Sequence, residues 1–160
     1  MRLPRTIRLD ASDDSVFEVA AREGEWAVSG VFAFAGTNPA ALTGKAWQAF
    51  ARGFLGTESF GWSTLAAVAE IDPAGYEGVV TALARHFVER YGAPDLATAL
   101  PTARAEVEFA AGLCEHKVNT LLAVERSLGE DGIVERFRAI EPPREPMHAR
   151  IWRIVEDGDG

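Results

Sequence analysis

The chain has 160 residues, of which 48% are hydrophobic, 25% charged and 9% aromatic. This length and composition are typical of one globular domain and exclude a disordered, collagen-like or coiled-coil protein. The formal charge of −8 argues against nucleic-acid binding by phosphate neutralisation. A single cysteine, Cys114, excludes an intrachain disulfide and a metal site built from cysteines alone.

No segment of the sequence has the length and apolar character of a signal peptide or of a membrane span. We therefore expect a cytoplasmic protein with no membrane partner. The sequence contains no repeat, low-complexity block or Gly/Ser linker, which predicts a single domain over residues 1–155. Residues 156–160 are predicted to form an acidic tail.

The N-terminal part of the chain is predicted to be rich in strands. Residues 5–10 and 15–19 are predicted strands on either side of a turn at 11–14, where Ser and Asp favour a turn. Residues 26–34 (WAVSGVFAF) form the clearest predicted strand, since one face is strongly apolar and the other is small and mostly apolar. A helix layer that covers only one of these faces would leave the other for a partner.

Two predicted helices flank a segment of ambiguous pattern. Asn38-Pro39 is typical of a helix start, and apolar residues at helical spacing predict a helix over 39–54. Residues 62–71 (WSTLAAVAEI) fit either a helix or a strand, and we predict a strand because Asp72-Pro73 starts a new helix directly afterwards. That helix, 73–91, has one continuous apolar stripe.

The C-terminal half predicts one more helix, over 102–116, followed by a hairpin. Residues 119–127 and 133–140 flank a Gly-rich turn as two antiparallel strands, although 119–127 would also suit a helix. A last strand is predicted over about 148–155.

The order of these elements lacks the strand–helix–strand alternation of parallel sheets. We therefore predict an α+β fold, with a mainly antiparallel sheet and about three amphipathic helices packed on it. On the second strand of the hairpin, Arg136 and Arg138 share one face and Glu135 takes the other.

The sequence holds no recognisable catalytic constellation. Gly44-Lys45 lacks the flanking residues of a phosphate-binding loop, and Ser63 lacks the second glycine of a serine-hydrolase elbow. Cys114 and His116 are two residues apart on a predicted helix, so their side chains point in different directions, and Cys114 is expected in the core. The three histidines show no ligand spacing. We predict no catalytic residue, no metal and no cofactor.

The candidate binding site is the segment 53–63, which combines three glycines with aromatic and hydroxyl side chains. Glycine permits close backbone approach, and aromatic residues line small-molecule pockets. The alternative is a tight helix-to-strand connection whose aromatic side chains fill the core. The predicted ligand-binding residues are Thr57, Ser59, Phe60, Trp62 and Ser63.

Four stretches carry a resemblance: LPRTIRLD followed by GEWAVSGVFAF, GFLGTESFGWSTL, VERYGAPDL and GIVERFRAI. Together they resemble a family of short bacterial proteins known only as a domain of unknown function, and the resemblance covers nearly the whole chain. It implies no activity, cofactor or catalytic residue that could be assigned to positions in this sequence. It also implies an accessory role in the assembly of redox enzymes.

Two functions are expected from these observations. The first is a non-enzymatic accessory or interaction protein that forms a homodimer or binds a protein partner. The alternative is a small-molecule-binding protein or enzyme with its pocket beside the segment 53–63. Nucleic acid is not expected as a partner of either.

Overall fold

The computed structural model describes residues 1–8, residues 11–141 and the backbone of residues 153–156. The helices are α1 (Asp13–Val16), α2 (Gly44–Arg52), α3 (Pro73–Arg90) and α4 (Leu96–Gly112). The strands are β1 (Arg2–Ile7), β2 (Ala27–Val28), β3 (Phe54–Gly56), β4 (Trp62–Ser63), β5 (Leu65–Glu70), β6 (Leu121–Gly129), β7 (Gly132–Glu141) and β8 (Arg153–Glu156).

The strands form two sheets. The larger sheet has the order β1-β5-β6-β7-β8, the smaller has the order β2-β3-β4, and every pairing within them is antiparallel. An isolated bridge between Arg5 and Trp26 links β1 to the start of β2. With α2, α3 and α4 as its long helices, the molecule has the predicted α+β fold with an antiparallel arrangement.

Helices α3 and α4 form an antiparallel pair whose starts are set by side-chain caps. The Asp72 carboxylate accepts a hydrogen bond of 2.6 Å from the Gly75 amide, and the Asp95 carboxylate accepts one of 2.7 Å from the Thr98 amide. The predicted helix 73–91 is confirmed. The predicted helix 102–116 instead begins at Leu96, where Asp95 provides the cap, and it ends at Gly112, so Cys114 and His116 lie beyond it.

The ambiguous segment 62–71 is a strand, as predicted, but it contributes to both sheets. Trp62 and Ser63 pair with β3, whereas Leu65–Glu70 pairs with β1 and β6. At the crossing, the Thr64 hydroxyl donates to the buried Asp13 carboxylate at 2.7 Å. The predicted hairpin is also confirmed: β6 and β7 pair from Leu121↔Ile140 to Gly129↔Gly132.

Two strands predicted near the N-terminus differ from the structure. The first strand covers Arg2–Ile7 rather than 5–10, and residues 9 and 10 lie outside the described residues. The segment 15–19 is not a strand, because α1 spans Asp13–Val16. The turn predicted over 11–14 is present, since the Asp14 amide donates to the Ala11 carbonyl at 3.2 Å, and it leads directly into α1. This single helical turn brings Asp13 and Phe17 into the interior, where they are 6% and 1% exposed.

The long strand predicted over 26–34 ends at Val28. Gly30 has a φ of +83°, and this left-handed residue turns the chain into a 3₁₀ helix at Val31–Phe34. A Cβ atom at Gly30 would lie 2.6 Å from the Leu55 Cβ, so only glycine fits this close approach. Ala27 and Val28 are both fully buried within the chain, so β2 leaves no apolar face open to a partner.

The predicted helix 39–54 consists of separate pieces. Asn38 caps a short 3₁₀ helix at Pro39–Ala41 by accepting from the Ala40 amide at 3.1 Å, and α2 begins only at Gly44. Of the predicted last strand, only residues 153–155 are described, and β8 continues to Glu156; the rest of the predicted tail lies outside the described residues. No helix among the described residues is long and apolar enough to cross a membrane.

Candidate functional site

An open groove of about 750 Å³ lies between the loop that joins β3 to β4 and the C-terminal end of α3. The loop and β4 contribute Glu58, Ser59, Phe60 and Trp62, and the end of α3 contributes His86, Glu89, Arg90 and the adjoining Tyr91. Val19, Ala33, Phe34 and Leu55 line the remainder. We call this feature the aromatic groove.

The structure brings three of the five predicted residues to the aromatic groove, namely Ser59, Phe60 and Trp62. Thr57 and Ser63 are 3% and 1% exposed and do not line it. The Thr57 hydroxyl donates to the Trp26 carbonyl at 2.8 Å, and the Ser63 hydroxyl donates to the Leu65 carbonyl at 2.7 Å. These two hydroxyls therefore hold the loop and strand in place rather than face a ligand.

Glu25, which was not predicted from the sequence, binds the β3–β4 loop through its buried carboxylate. Its side chain is 1% exposed, and its carboxylate accepts hydrogen bonds from the amides of Arg22, Glu58 and Ser59 at 2.6, 2.9 and 2.7 Å. The Ser59 hydroxyl donates to the same carboxylate at 2.5 Å. Burial raises the pKa of Glu25, but the hydrogen bonds from Ser59, Arg22 and Glu58 outweigh burial, so the pKa lies below its ordinary value.

The glycines of the loop are needed because neighbouring atoms approach very closely. A Cβ atom at Gly56 would lie 2.5 Å from the Glu25 carboxylate, and one at Gly61 would lie 2.6 Å from the backbone carbon of Ala20. Between them, Phe60 adopts a φ of +55°, which side chains rarely occupy. The loop is thus held in a single, tightly supported conformation.

We expect Gly61→Ala to lower the free energy of unfolding by about 1–3 kcal/mol, because the added methyl group overlaps backbone atoms that cannot rotate away. Gly78→Ala is the matched control. Gly78 is exposed in the middle of α3, and a Cβ atom there meets nothing within 4 Å. It should therefore raise stability by up to about 1 kcal/mol through helix propensity. Urea denaturation measures both, and equal stability of the two variants would contradict the packing described here.

The walls of the aromatic groove are made of rings in mutual contact. Phe60 and His86 stack face to face, with ring centroids 3.7 Å apart and an interplanar angle of 3°. Tyr91 lies edge-on to His86 at 5.4 Å, and Trp62 lies 5.3 Å from Phe34. Burial lowers the pKa of His86, and Arg90 lowers it further against the opposing effect of Glu89, so the pKa lies below its ordinary value.

A second polar cluster lies away from the groove and is structural. Arg126 is 2% exposed and donates through Nε to the Glu135 carboxylate at 2.8 Å. Its Nη1 atom donates to the carbonyls of Phe50 and Gly53, both at 2.9 Å, and so caps the C-terminal end of α2. Ser29 completes the cluster by donating to Glu135 at 2.6 Å. Arg126 was not singled out by sequence, since nothing local marks an arginine as buried.

The other candidates lie apart from the groove. Cys114 is 2% exposed and packs in the cluster between the sheets, in line with the expected core thiol. Within the described part of the chain, no group of three or more His, Cys, Asp or Glu side chains could hold a metal ion. What the aromatic groove offers chemically is a set of ring faces and three charged side chains, Glu58, Glu89 and Arg90.

The two antiparallel sheets, the α3–α4 pair and the aromatic groove define an α+β protein with an open surface groove. The chain matches a family of unknown function, DUF6505, over residues 1–152, and it belongs to this family. The resemblance seen in the sequence motifs is thereby confirmed. Neither the curated proteins nor the solved structures contain a match to the chain.

Proposed function

We propose that this protein is a non-enzymatic accessory or interaction protein that binds an extended segment of a protein partner in the aromatic groove. The observation that carries the proposal is the exposure of Tyr91, which is 46% exposed at the rim of a groove already lined by Phe60 and Trp62. Exposed aromatic rings beside a concave surface are typical of residues that dominate the energetics of protein interfaces.

The shape of the aromatic groove favours a segment of chain over a fully enclosed ligand. Val19, Glu89, Arg90 and Tyr91 are all exposed, so one side of the groove is open to solvent. Small-molecule pockets bury most of the ligand surface, whereas an extended peptide can lie in an open trough and continue beyond it. Three hydrogen bonds from the loop to Glu25, donated by the Glu58 and Ser59 amides and the Ser59 hydroxyl, hold the loop in place, which lowers the entropic cost of binding.

The test selects binding peptides from a random displayed library and compares their affinities for variants. Tyr91→Ala should weaken the selected peptides about tenfold, or ~1.4 kcal/mol, with little effect on the fold because the ring is half exposed. Trp62→Ala is less useful, since Trp62 packs against two core clusters and its loss would also destabilise the protein.

Trp47→Ala is the control, since Trp47 is 37% exposed on α2 and does not line the groove. It should leave the affinities unchanged. If the library yields no binders, or if binding survives Tyr91→Ala, the proposal is wrong.

A small molecule in the same groove is the second candidate, and the volume of about 750 Å³ favours it, because ligand pockets typically measure roughly 300–1,000 Å³. Native mass spectrometry of the protein purified from its own host tests this candidate. An added mass that is lost on denaturation, and lost in Tyr91→Ala, would support it. A bare polypeptide mass would count against it.

The narrower roles stay predictions. An accessory role in redox-enzyme assembly is what the resemblance of the sequence motifs implies, and a cytoplasmic location is what the lack of a signal-peptide or membrane-span pattern predicts. The apolar strand face that was expected to support a homodimer is not open to a partner, because both faces of β2 are buried within the chain. Sedimentation at micromolar concentration decides it: a homodimer would have twice the 17.3 kDa mass of the chain.

A further inference from the structure

Some polar groups of the aromatic groove already form hydrogen bonds within the protein, whereas others form no ion pair with a described residue. The Ser59 hydroxyl donates to Glu25 at 2.5 Å and accepts from the Gly61 amide at 3.1 Å, so it has little left to offer a ligand. Glu58, Glu89 and Arg90 line the groove, and none of them forms an ion pair with another described residue. The free charges of the groove are therefore two carboxylates and one guanidinium.

These charges come from opposite walls. Glu58 is exposed on the β3–β4 loop. Its backbone amide donates a hydrogen bond of 2.9 Å to the Glu25 carboxylate, which fixes the position of its backbone. Glu89 is exposed on the last turn of α3. The same two walls carry the rings, since Phe60 and Trp62 lie on the loop and β4, and Tyr91 adjoins the end of α3. Ring faces flanked by carboxylates attract cations, because the quadrupole of an aromatic ring is negative over its face.

The charge of the whole chain acts in the same direction. The formal net charge is −8, so the protein attracts basic partners and repels acidic ones over distances of about a Debye length. The positive charge of Arg90 in the groove repels a basic partner, so removing this charge should strengthen the binding of a basic segment.

We propose that the segment bound in the aromatic groove is basic: a lysine or arginine side chain lies against the rings of Trp62 and Tyr91, and its charge is neutralised by Glu58 and Glu89. This inference rests on the proposed function, because it names the chemistry of the partner segment. Apolar residues on either side of the basic residue contact Phe60 and Val19.

The test uses three capped five-residue peptides that are identical except for a central lysine, glutamine or glutamate between two leucines. The lysine peptide should bind about threefold to tenfold more tightly than the glutamine peptide, and the glutamate peptide should bind most weakly. Isothermal titration at low and high salt measures the affinities. The preference for lysine should shrink at high salt.

Charge variants then locate the effect. Glu58→Gln and Glu89→Gln should each weaken the lysine peptide about threefold, and Arg90→Gln should strengthen it by a similar factor. The glutamine peptide should respond to none of them. Glu125→Gln is the control, since Glu125 is exposed on β6 and does not line the groove.

Each outcome distinguishes this inference from the proposed function. If Tyr91→Ala weakens all three peptides but lysine is not preferred, the inference is overturned and the groove remains the binding site. If lysine is preferred but Glu125→Gln has the same effect as Glu89→Gln, the preference comes from the overall charge and the inference is overturned. If Tyr91→Ala affects none of the library binders, the proposed function itself fails.

Discussion

Replacing Arg126 with methionine is expected to lower the free energy of unfolding by about 3–5 kcal/mol, the largest effect of any single substitution proposed for this chain. The guanidinium is 2% exposed and bonds to Glu135 and to the carbonyls of Phe50, Gly53 and Ser29. Methionine fills much of the volume but donates no hydrogen bond. The carbonyls that end α2 would then lose their donor, and the Glu135 carboxylate would keep the hydrogen bond from Ser29 but lose its cationic partner.

Two further variants separate the lost charge pair from lost packing. Arg138→Met changes the same residue type on the neighbouring strand β7, where the side chain is exposed, and should shift stability by no more than about 0.5 kcal/mol. The double variant Arg126→Met with Glu135→Leu removes the unpaired carboxylate and should recover about 1–2 kcal/mol of the loss. Urea denaturation followed by circular dichroism measures all three. An Arg126→Met variant as stable as Arg138→Met would refute the buried network.

Replacing Glu25 with glutamine is expected to lower the free energy of unfolding by about 2–3 kcal/mol. The carboxylate accepts hydrogen bonds from the amides of Arg22, Glu58 and Ser59 and from the Ser59 hydroxyl. A glutamine side chain has only one accepting oxygen, and its NH₂ group would face donors. The loop beside the groove should loosen as a result, so peptide affinity should fall together with stability.

The Glu25 carboxylate should also make the stability of the protein depend on pH. Because the pKa of Glu25 in the folded protein lies below its value of 4.5 in the unfolded chain, the ionised carboxylate stabilises the fold at pH values above 4.5. This contribution is lost as the pH falls below 4.5 towards the folded pKa. Between pH 6 and pH 3, Glu25→Gln should therefore lose less stability than the wild type.

Glu23→Gln is the matched control for Glu25→Gln, since Glu23 is exposed two residues away in the same segment. It should keep the acid dependence and the stability of the wild type. Identical pH profiles for the wild type and Glu25→Gln would show that the carboxylate does not carry the stabilisation.

Elements with strong local signals were predicted correctly from the sequence. Asp72-Pro73 and a continuous apolar stripe specify α3, because the cap and the helical period depend only on neighbouring residues. The hairpin β6–β7 was predicted from the turn at residues 129–132, where Gly132 has a φ of +123°, although residues 119–127 also suited a helix. Alternation also predicted that Arg136 and Arg138 share one face of this strand and that Glu135 lies on the other, and the structure shows that the face with the two arginines is exposed.

The candidate site was predicted in part. Three glycines among aromatic residues marked the segment 53–63, and Phe60 and Trp62 do line the groove. The opposite wall was missed, because His86 and Tyr91 belong to the pattern of an ordinary amphipathic helix. Only the packing of α3 beside the loop turns them into part of a site, with the His86 ring 3.7 Å from that of Phe60.

What the sequence by itself determined is therefore the secondary structure where capping and periodicity are strong, the α+β class and the loop that forms one wall of the groove. The tertiary structure decided where the long strand breaks at Gly30, how Glu25 supports Ser59 from 34 residues away, and why Arg126 is buried beneath the end of α2. The physical reason is that close backbone contacts and buried hydrogen bonds stabilise the fold only when segments that are distant in the sequence come together. The hydrophobic period and the composition of one segment do not indicate which distant segment it will contact.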